Sequence, residues 1–544
     1  MHRNALLPIC SLALLSCSIS ASNSDASHAS SAEDSIGVVS QSEGPRSSFS
    51  SSEGISASGP SSSSCEVGQS EEPASSILAE EGIHILTPSA SFREVFELGS
   101  DVSVRLSFDK GTLHDLSYFG AYANRKYADV YFPGTVTFTV NGVSETFEDA
   151  GVRMKGNTSR REFVSEDGGI YRMSHFKVSL KATFDDALYD LPELSKYRHD
   201  WSGDPSGRAA RKDRNFRGME KIDLKYMPRN NDTSVGQEIY AYNAFRGQGL
   251  LAPHANYAGL TIENGISSLA ADYEIIEPID KEFLKRHLGK QEAQGDLYKC
   301  LYGPMGKADF TRTGSLSSSY DEDGYTCGTR VSRGKIGVRD SYDGYFPCYD
   351  LKTNDSLGEA ADFSKMEGYI NAMWNLRYKG AGQELLESTL DVDWFLRFEA
   401  VSYLLGNFDD QRNNANNFYL YFLPSSGKAI YIPYDWDWCL GADMGLDTEN
   451  WEPYRRYDMN GDTVPSNVYF VTFFKGSEET SYSMDGYRAK YDAYIKKALE
   501  DGVLDYENYE AQVGYAPDGL KTQQDSVRDY MGKKKSAANS YYSW

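Results

Sequence analysis

Residues 135–147, TVTFTVNGVSETF, alternate apolar and polar side chains on both sides of Asn141-Gly142. That pair between alternating runs is the strongest short-range signal for a tight β-hairpin. Two further strands are predicted, around Val152–Lys155 and around Phe176–Lys181. In the second, the period of two puts Phe176, Val178 and Leu180 on one face and Lys177, Ser179 and Lys181 on the other. The run DTSVGQEIYAYNAFRGQG changes to a helical period, with Asp232, Thr233 or Ser234 as N-cap, a Ser234/Gln237 capping box and a stop at Gly247. Strands resume in ANYAGLTI and ADYEIIEPID. Beyond about residue 360 the pattern is mainly helical, as in DVDWFLRFEAVSYLLGN, apart from the strand pair NFYLYFL and KAIYIPYDW. Strands gathered in one half and helices in the other predict an α+β protein with two lobes.

The first 76 residues carry neither period. MHRNALLPICSLALLSC has one Arg and an apolar run too short for a membrane span, which is the secretory-signal pattern. It also resembles a bacterial lipobox, which predicts residues 1–17 as a lipoprotein signal with Cys17 lipidated, and an exported, membrane-anchored location on the cell surface. An ordinary cleaved signal would keep the export and lose the anchor. Residues 18–76 are dominated by Ser with few large apolar side chains, so they read as a disordered tether. The folded part is expected from about Ile77, with lobes at 77–290 and 291–544.

Composition narrows the partners. A net charge of −24 opposes nucleic acid and anionic surfaces, so any phosphate-bearing ligand needs a local basic pocket or a metal. Seven cysteines occur without Cys/His metal spacing, and the folded part leaves room for one bridge among Cys300, Cys327 and Cys348. DMNGD at 458–462 begins like a calcium loop, but Thr463 stands where that loop requires Gly, so it reads as a turn. Asn157-Thr158-Ser159 is an N-glycosylation triplet of little meaning in a bacterium, and no hydrolase triad is legible.

The stretch GNFDDQRNNANNFYLY, 406–421, sets Asp409 and Asp410 among five asparagines before an aromatic strand. A polar turn of that kind is costly to hold rigid unless something coordinates it. Its carboxylate and amide oxygens suit a divalent metal, and a carboxylate beside an acceptor hydroxyl suits phosphoryl transfer. The following strand ends in Asp435 and Asp437, and a short turn between the two strands can bring Asp409 and Asp435 to one edge. For phosphate contacts the candidates are Lys155 and Lys177, with Arg153 behind them and the small residues of KGNTSR between their strands. Glu238 is the candidate partner that aims a strand lysine. No GxGxxG or Walker motif is present.

Seven blocks, GVRMKGNTSR, FKVSLK, SVGQEIYAYNAFRGQGLLAP, YEIIEPIDKEFLKRHLG, GDLYKC, GNFDDQRNNANNFYLY and IPYDWDWCLG, stand in the order of similar blocks in the spore-coat protein H (CotH) kinase family. The chain therefore resembles that family over roughly residues 130–445. The resemblance implies a divergent, protein-kinase-like fold and transfer of phosphate from ATP, with Mg²⁺ or Mn²⁺, to Ser or Thr of proteins. It implies Asp409 as the catalytic-loop aspartate, with Asp410 the alternative. It favours Asn417 as metal ligand, where typical kinase spacing would favour Asn414. Asp435 matches the second metal-binding aspartate, with Asp437 the outside candidate, and Glu277 and Tyr298-Lys299 fall at the lobe connection and adenine pocket. The rival reading is a non-catalytic surface or adhesion protein on the same fold, binding a protein or polysaccharide. Convergence of Lys155 or Lys177 with Asp409, Asn417 and Asp435 would separate the two.

Overall fold

A computed structural model describes residues 82–157, 159–227, 236–302, 306–311, 335–342, 344–379, 382–455, 469–474, 487–517 and 525–544. The signal and tether, the N-cap candidates at 232–234, Thr158, Cys327 and the 458–462 turn lie outside them. Residues from His84 onward form one compact unit. No helix among the described residues is long and apolar enough to cross a membrane.

Seven strands close a barrel: β1 (Val102–Ser107), β2 (Phe132–Val140), β3 (Val143–Met154), β4 (Phe176–Ser179), β5 (Lys221–Tyr226), β6 (Ala255–Glu263) and β7 (Ser268–Ile276), in the order 1-2-3-4-5-7-6. Neighbours are antiparallel except β1 and β6, whose parallel pairing completes the ring. Asn141 and Gly142 carry the predicted hairpin between β2 and β3 with φ of 50° and 80°. Two left-handed residues give the turn a twist that matches the strands it joins. The strand expected around Val152 is not separate. It is the far end of β3, which continues past a register shift opposite Gly134–Val136. The intervening Glu145–Asp149 is mostly solvent-facing, so its polarity hides the continuity.

Phe176, Val178, Leu180, Ile222 and Leu224 point into the barrel core with Phe138, Val152, Tyr273 and Ile275. Helices α1 (Ala90–Phe96) and α2 (Lys110–Gly120) add Phe92, Val95, Leu113 and Leu116 to the same cluster. At about 25 cal/mol per Å² of apolar surface, this burial is the main stabilising term for the barrel. The period of two then sends Lys177, Asp223 and Lys225 outward.

A second sheet has the order β12-β11-β8-β10-β9, built from β8 (Leu297–Cys300), β9 (Ile336–Gly337), β10 (Tyr349–Leu351), β11 (Phe418–Phe422) and β12 (Ala429–Pro433). Helix Val392–Leu405 lies over β12 and is capped at Asp391 and Gly406. Gly406 has a φ of 68°, and a Cβ there would meet Tyr530 Oη at 2.0 Å, so the turn into residues 407–417 requires glycine. In the chain, α3 (Pro205–Arg211) lies between β4 and β5, α4 (Gln237–Gly247) between β5 and β6, and α5 (Lys281–Glu292) between β7 and β8; α4 packs on β6 and on Val392–Leu405. Cys300, Cys348 and Cys439 are free and buried. The bridge allowed for Cys300 and Cys348 with each other is therefore not formed.

Candidate functional site

Lys225 is the centre of the site. β5 faces the core with Ile222 and Leu224, which leaves Lys225 on the outer face directly across the ladder from Glu274 of β7. Its ammonium lies 2.6 Å from Glu238 Oε2, 2.7 Å from Asp435 Oδ1 and 3.0 Å from Asp437 Oδ2. Glu238 is aimed by α4: its Oε1 accepts the Tyr242 hydroxyl at 2.6 Å and the Trp436 N–H at 3.3 Å. The Asp435 N–H in turn donates to Tyr242 Oη at 3.0 Å. Glu238 thus aims a strand lysine as expected, but the lysine is Lys225 and not Lys155 or Lys177. Alternation across the strands places those two beside Asp223, two residues before Lys225 on the same face of β5.

Three carboxylates hold one ammonium here, and Glu274 across the ladder is a fourth acid beside them. Burial opposes the Lys225 charge, yet Asp435, Asp437 and Glu238 hold its pKa well above the usual value. Burial would raise Asp435, but Lys225, with Lys155 and Lys299, keeps it far below the carboxylate range. Burial, with Asp435 and Glu238 beside it, pushes Asp437 up to about 7, and burial with Glu238 raises Glu274 well above normal. Asp437 Oδ1 is also buried without a hydrogen-bond partner. Surplus buried acid and an orphaned carboxylate oxygen are what a divalent cation would satisfy, so these residues fit a metal. Asp435 has a φ of 60°, a backbone state seldom taken outside glycine and concentrated at functional positions.

The basic side of the site stands next to this one. Lys155 and Lys177 reach Asp223 at 2.9 and 3.2 Å. Burial would raise Asp223, but the two lysines hold it far below its usual value. Arg153 is turned behind them, donating to Ala128 O at 2.9 Å and lying 3.5 Å from Asp129. His175 Nδ1 accepts the Tyr226 N–H at 2.8 Å, and burial beside Lys225 and Lys155 pushes its imidazole down to about 3, so it remains neutral. Lys299 of β8 lies 4.1 Å from the centre of the Tyr434 ring, and burial, with Lys155 and Lys352 nearby, pushes its ammonium down to about 7.

The asparagine-rich turn is held from both sides. Asn414 Nδ2 donates to Asp409 Oδ1 at 2.6 Å, and Asn417 Nδ2 donates to Asp409 Oδ2 at 2.9 Å. Asn416 donates to both oxygens, while its own Oδ1 accepts the Tyr302 N–H at 2.8 Å. Asn414 and Asn417 therefore stay the two metal-ligand candidates, and Asn416 is excluded. Burial pushes Asp409 up to about 6, assisted by Asp435 and Asp410 and opposed by the amides of Asn414 and Asn416. Asp410 faces inward: its oxygens accept the Ser402 hydroxyl at 2.6 Å, the Asn413 N–H at 2.8 Å and the Asn413 amide at 2.9 Å. Asp410 shapes the turn, and Asp409 is presented by it.

Glu277 is engaged elsewhere. Its carboxylate accepts from Arg286, from His287 Nε2 at 3.0 Å, and from the His254 N–H and Nδ1, both at 3.1 Å. His254, Glu277 and His287 bring ligand atoms within 4.8 Å of one another. The Arg286 guanidinium already neutralises that carboxylate, and every oxygen is satisfied, so the cluster ties the end of β7 to α5 without a cation.

Lys225 and Glu274 were the residues missed by sequence reasoning. The available signal was KIDLKY, whose two apolar positions alternate with Asp223 and Lys225.

The profile of a family described as CotH kinase protein matches residues 193–522. Among solved structures, the chain is similar to the Helicobacter pylori proinflammatory kinase CtkA, at 12% identity and a TM-score of 0.28 over 59% of this chain and 90% of that one. It is also similar to a Shewanella oneidensis toxin–antitoxin complex of HipA, HipB and operator DNA, at 11% identity and a TM-score of 0.25 over 59% of each chain. No curated protein matches.

Proposed function

The chain belongs to the CotH kinase family, and on that premise we propose that it is an exported, lipid-anchored protein kinase that transfers the γ-phosphate of ATP to Ser or Thr of proteins. Family membership supports kinase-type chemistry with ATP and a divalent metal. The observation that carries the finer reading is the convergence of Lys225, Glu238 and Asp435 from a barrel strand, a helix and the segment after β12. A buried lysine held by a helix glutamate beside a metal-type aspartate is the working arrangement of protein kinases. An adhesion protein has no reason to gather those three groups with Asp409 near them.

In this reading the barrel and its helices, 77–290, form the N-lobe and residues 291–544 the C-lobe. Lys225, set by Glu238, carries phosphate oxygens, and Lys155 and Lys177 supply further positive charge. Asp435, with Asp437 and either Asn417 or Asn414, would hold Mg²⁺ or Mn²⁺. Asp409 accepts the hydrogen bond of the acceptor hydroxyl and orients it. Bound metal would neutralise charge on the phosphates during transfer. Arg153 supports the lysines from behind, and the Glu277 side chain ties the end of β7 to α5 within the N-lobe.

Covalently attached acceptors are the serines of residues 18–76, several beside acidic residues, as in SSEGIS and GQSEEPASS. Covalent attachment through a tether of the kind the sequence predicts would keep such segments at an effective concentration on the order of millimolar. Incubating the full chain with ATP and Mg²⁺ or Mn²⁺, then mapping phosphates by mass spectrometry, tests this. Phosphoserine in 18–76 is expected. An unmodified tether beside a modified added acidic protein would remove the tether as substrate, and phosphate on neither would remove the kinase.

A further inference from the structure

We infer that Lys299, reaching across from the second sheet, is a phosphate-binding residue of this site, paired with Lys155 over the ring of Tyr434. The inference rests on the nucleotide reading above and extends it to a cation from the second sheet.

Lys299 is placed by β8, which is hydrogen-bonded on one side to β11 and on the other to β10, with Tyr419 and Asp350 as its register partners. The strand can enter so closely because Gly295 precedes it: a Cβ there would lie 2.0 Å from Phe422 O. The natural counter-ion is engaged elsewhere, since Asp350 accepts the Arg339 N–H at 3.1 Å and pairs with Lys352. Among the described residues no carboxylate lies within ion-pair distance of Lys299. What holds it is the Tyr434 ring, 4.1 Å away, with the Lys155 ammonium 5.5 Å from the same ring. A cation on an aromatic face is fixed in position without being neutralised.

The charges near this ring do not balance. Lys155 and Lys177 share the single carboxylate Asp223, and Lys299 adds a third ammonium without adding an acid. Tyr434 immediately precedes Asp435, so this excess of positive charge adjoins the excess of acid around Asp437. A part-buried cation without a counter-ion is costly unless a ligand supplies the anion. A phosphate chain carrying a divalent cation matches both halves, its oxygens toward the lysines and its metal toward the acids. The same chemistry would take a free polyphosphate, so the nucleoside is tested separately.

The test is calorimetric titration of the full chain with ATP, tripolyphosphate and adenosine, each with Mg²⁺, in the parent, Lys299→Met and Lys299→Arg. Lys299→Met should weaken ATP and tripolyphosphate by about tenfold or more and leave adenosine unchanged, and Lys299→Arg should recover most of the loss. Equal ATP affinity in parent and Lys299→Met overturns the assignment while the nucleotide reading stands. A parent that binds neither ATP nor tripolyphosphate overturns the reading itself. Loss of adenosine together with ATP in Lys299→Met marks a collapsed site and also counts against a phosphate role. Should Lys299→Met fail to give a cooperative unfolding transition, Lys299→Gln is judged by the same criteria.

Discussion

Lys225→Met is expected to lower stability by about 3–5 kcal/mol, because removing one member of a buried ion pair strands its partners. Glu238, Asp435 and Asp437 each lie within 3.0 Å of that ammonium, and no second cation makes these contacts among the described residues. The loss should shrink as pH falls from 8 to 5. Stranded carboxyls titrate higher in the folded chain than in the unfolded one, so the penalty grows as pH rises and is relieved on protonation. Phosphate transfer should fall by about a hundredfold or more in whatever fraction stays folded. Lys225→Arg should recover stability better than activity, since a planar fork replaces a point charge. Urea unfolding across that pH range reads the first effect. A variant as stable as the parent at pH 8 would show that the four acids do not depend on Lys225.

The second large effect separates two adjacent aspartates. Asp409→Asn should cut transfer by about 10²–10⁴-fold, the range for losing a positioned acid–base group, with stability within about 1 kcal/mol of the parent. Its carboxylate accepts from the amides of Asn414, Asn416 and Asn417, and Asp435 is near enough to help raise its pKa. Asp410→Asn should do the reverse, costing about 1–3 kcal/mol by leaving buried donors from Ser402 and Asn413 poorly matched, with activity per folded molecule retained. The raised Asp409 pKa adds a pH dependence: transfer should decline as pH drops through about 6, where the carboxylate takes up a proton. Bound metal would move that midpoint down. If Asp410→Asn abolishes transfer in a stably folded chain, the catalytic assignment moves to Asp410.

How much of this was legible depended on where each signal resides. The hairpin at Asn141-Gly142, the inward face of Phe176, Val178 and Leu180, and the Val392–Leu405 helix are local, set by period and by a few turn or cap residues. Asp409 and Asp435 could be nominated because the residues around them form distinctive blocks. β5 could not be recognised in the same way: in Lys221–Tyr226, three of six residues are charged, so the segment resembles a surface loop. Its Lys225 is buried only by partners 13 and 210 positions away, which no window on the sequence contains. Glu277 was nominated through the resemblance alone. The resemblance placed it at the lobe connection and adenine pocket, and in the structure Arg286, His287 and His254 take up its carboxylate. Asp437 gained weight only from its orphaned oxygen and its shared contact with Lys225.

The central claim is that Lys225, Glu238 and Asp435 form a metal-dependent nucleotide site. Titrating the full chain with ATP, with and without Mg²⁺ or Mn²⁺, beside Asp435→Asn at limiting metal, tests it most directly. Saturable binding that requires metal is expected in the parent, weakened about tenfold or more in the variant, which has lost a charged oxygen ligand. Saturable binding that is equal with and without metal, or identical in parent and Asp435→Asn, would contradict it.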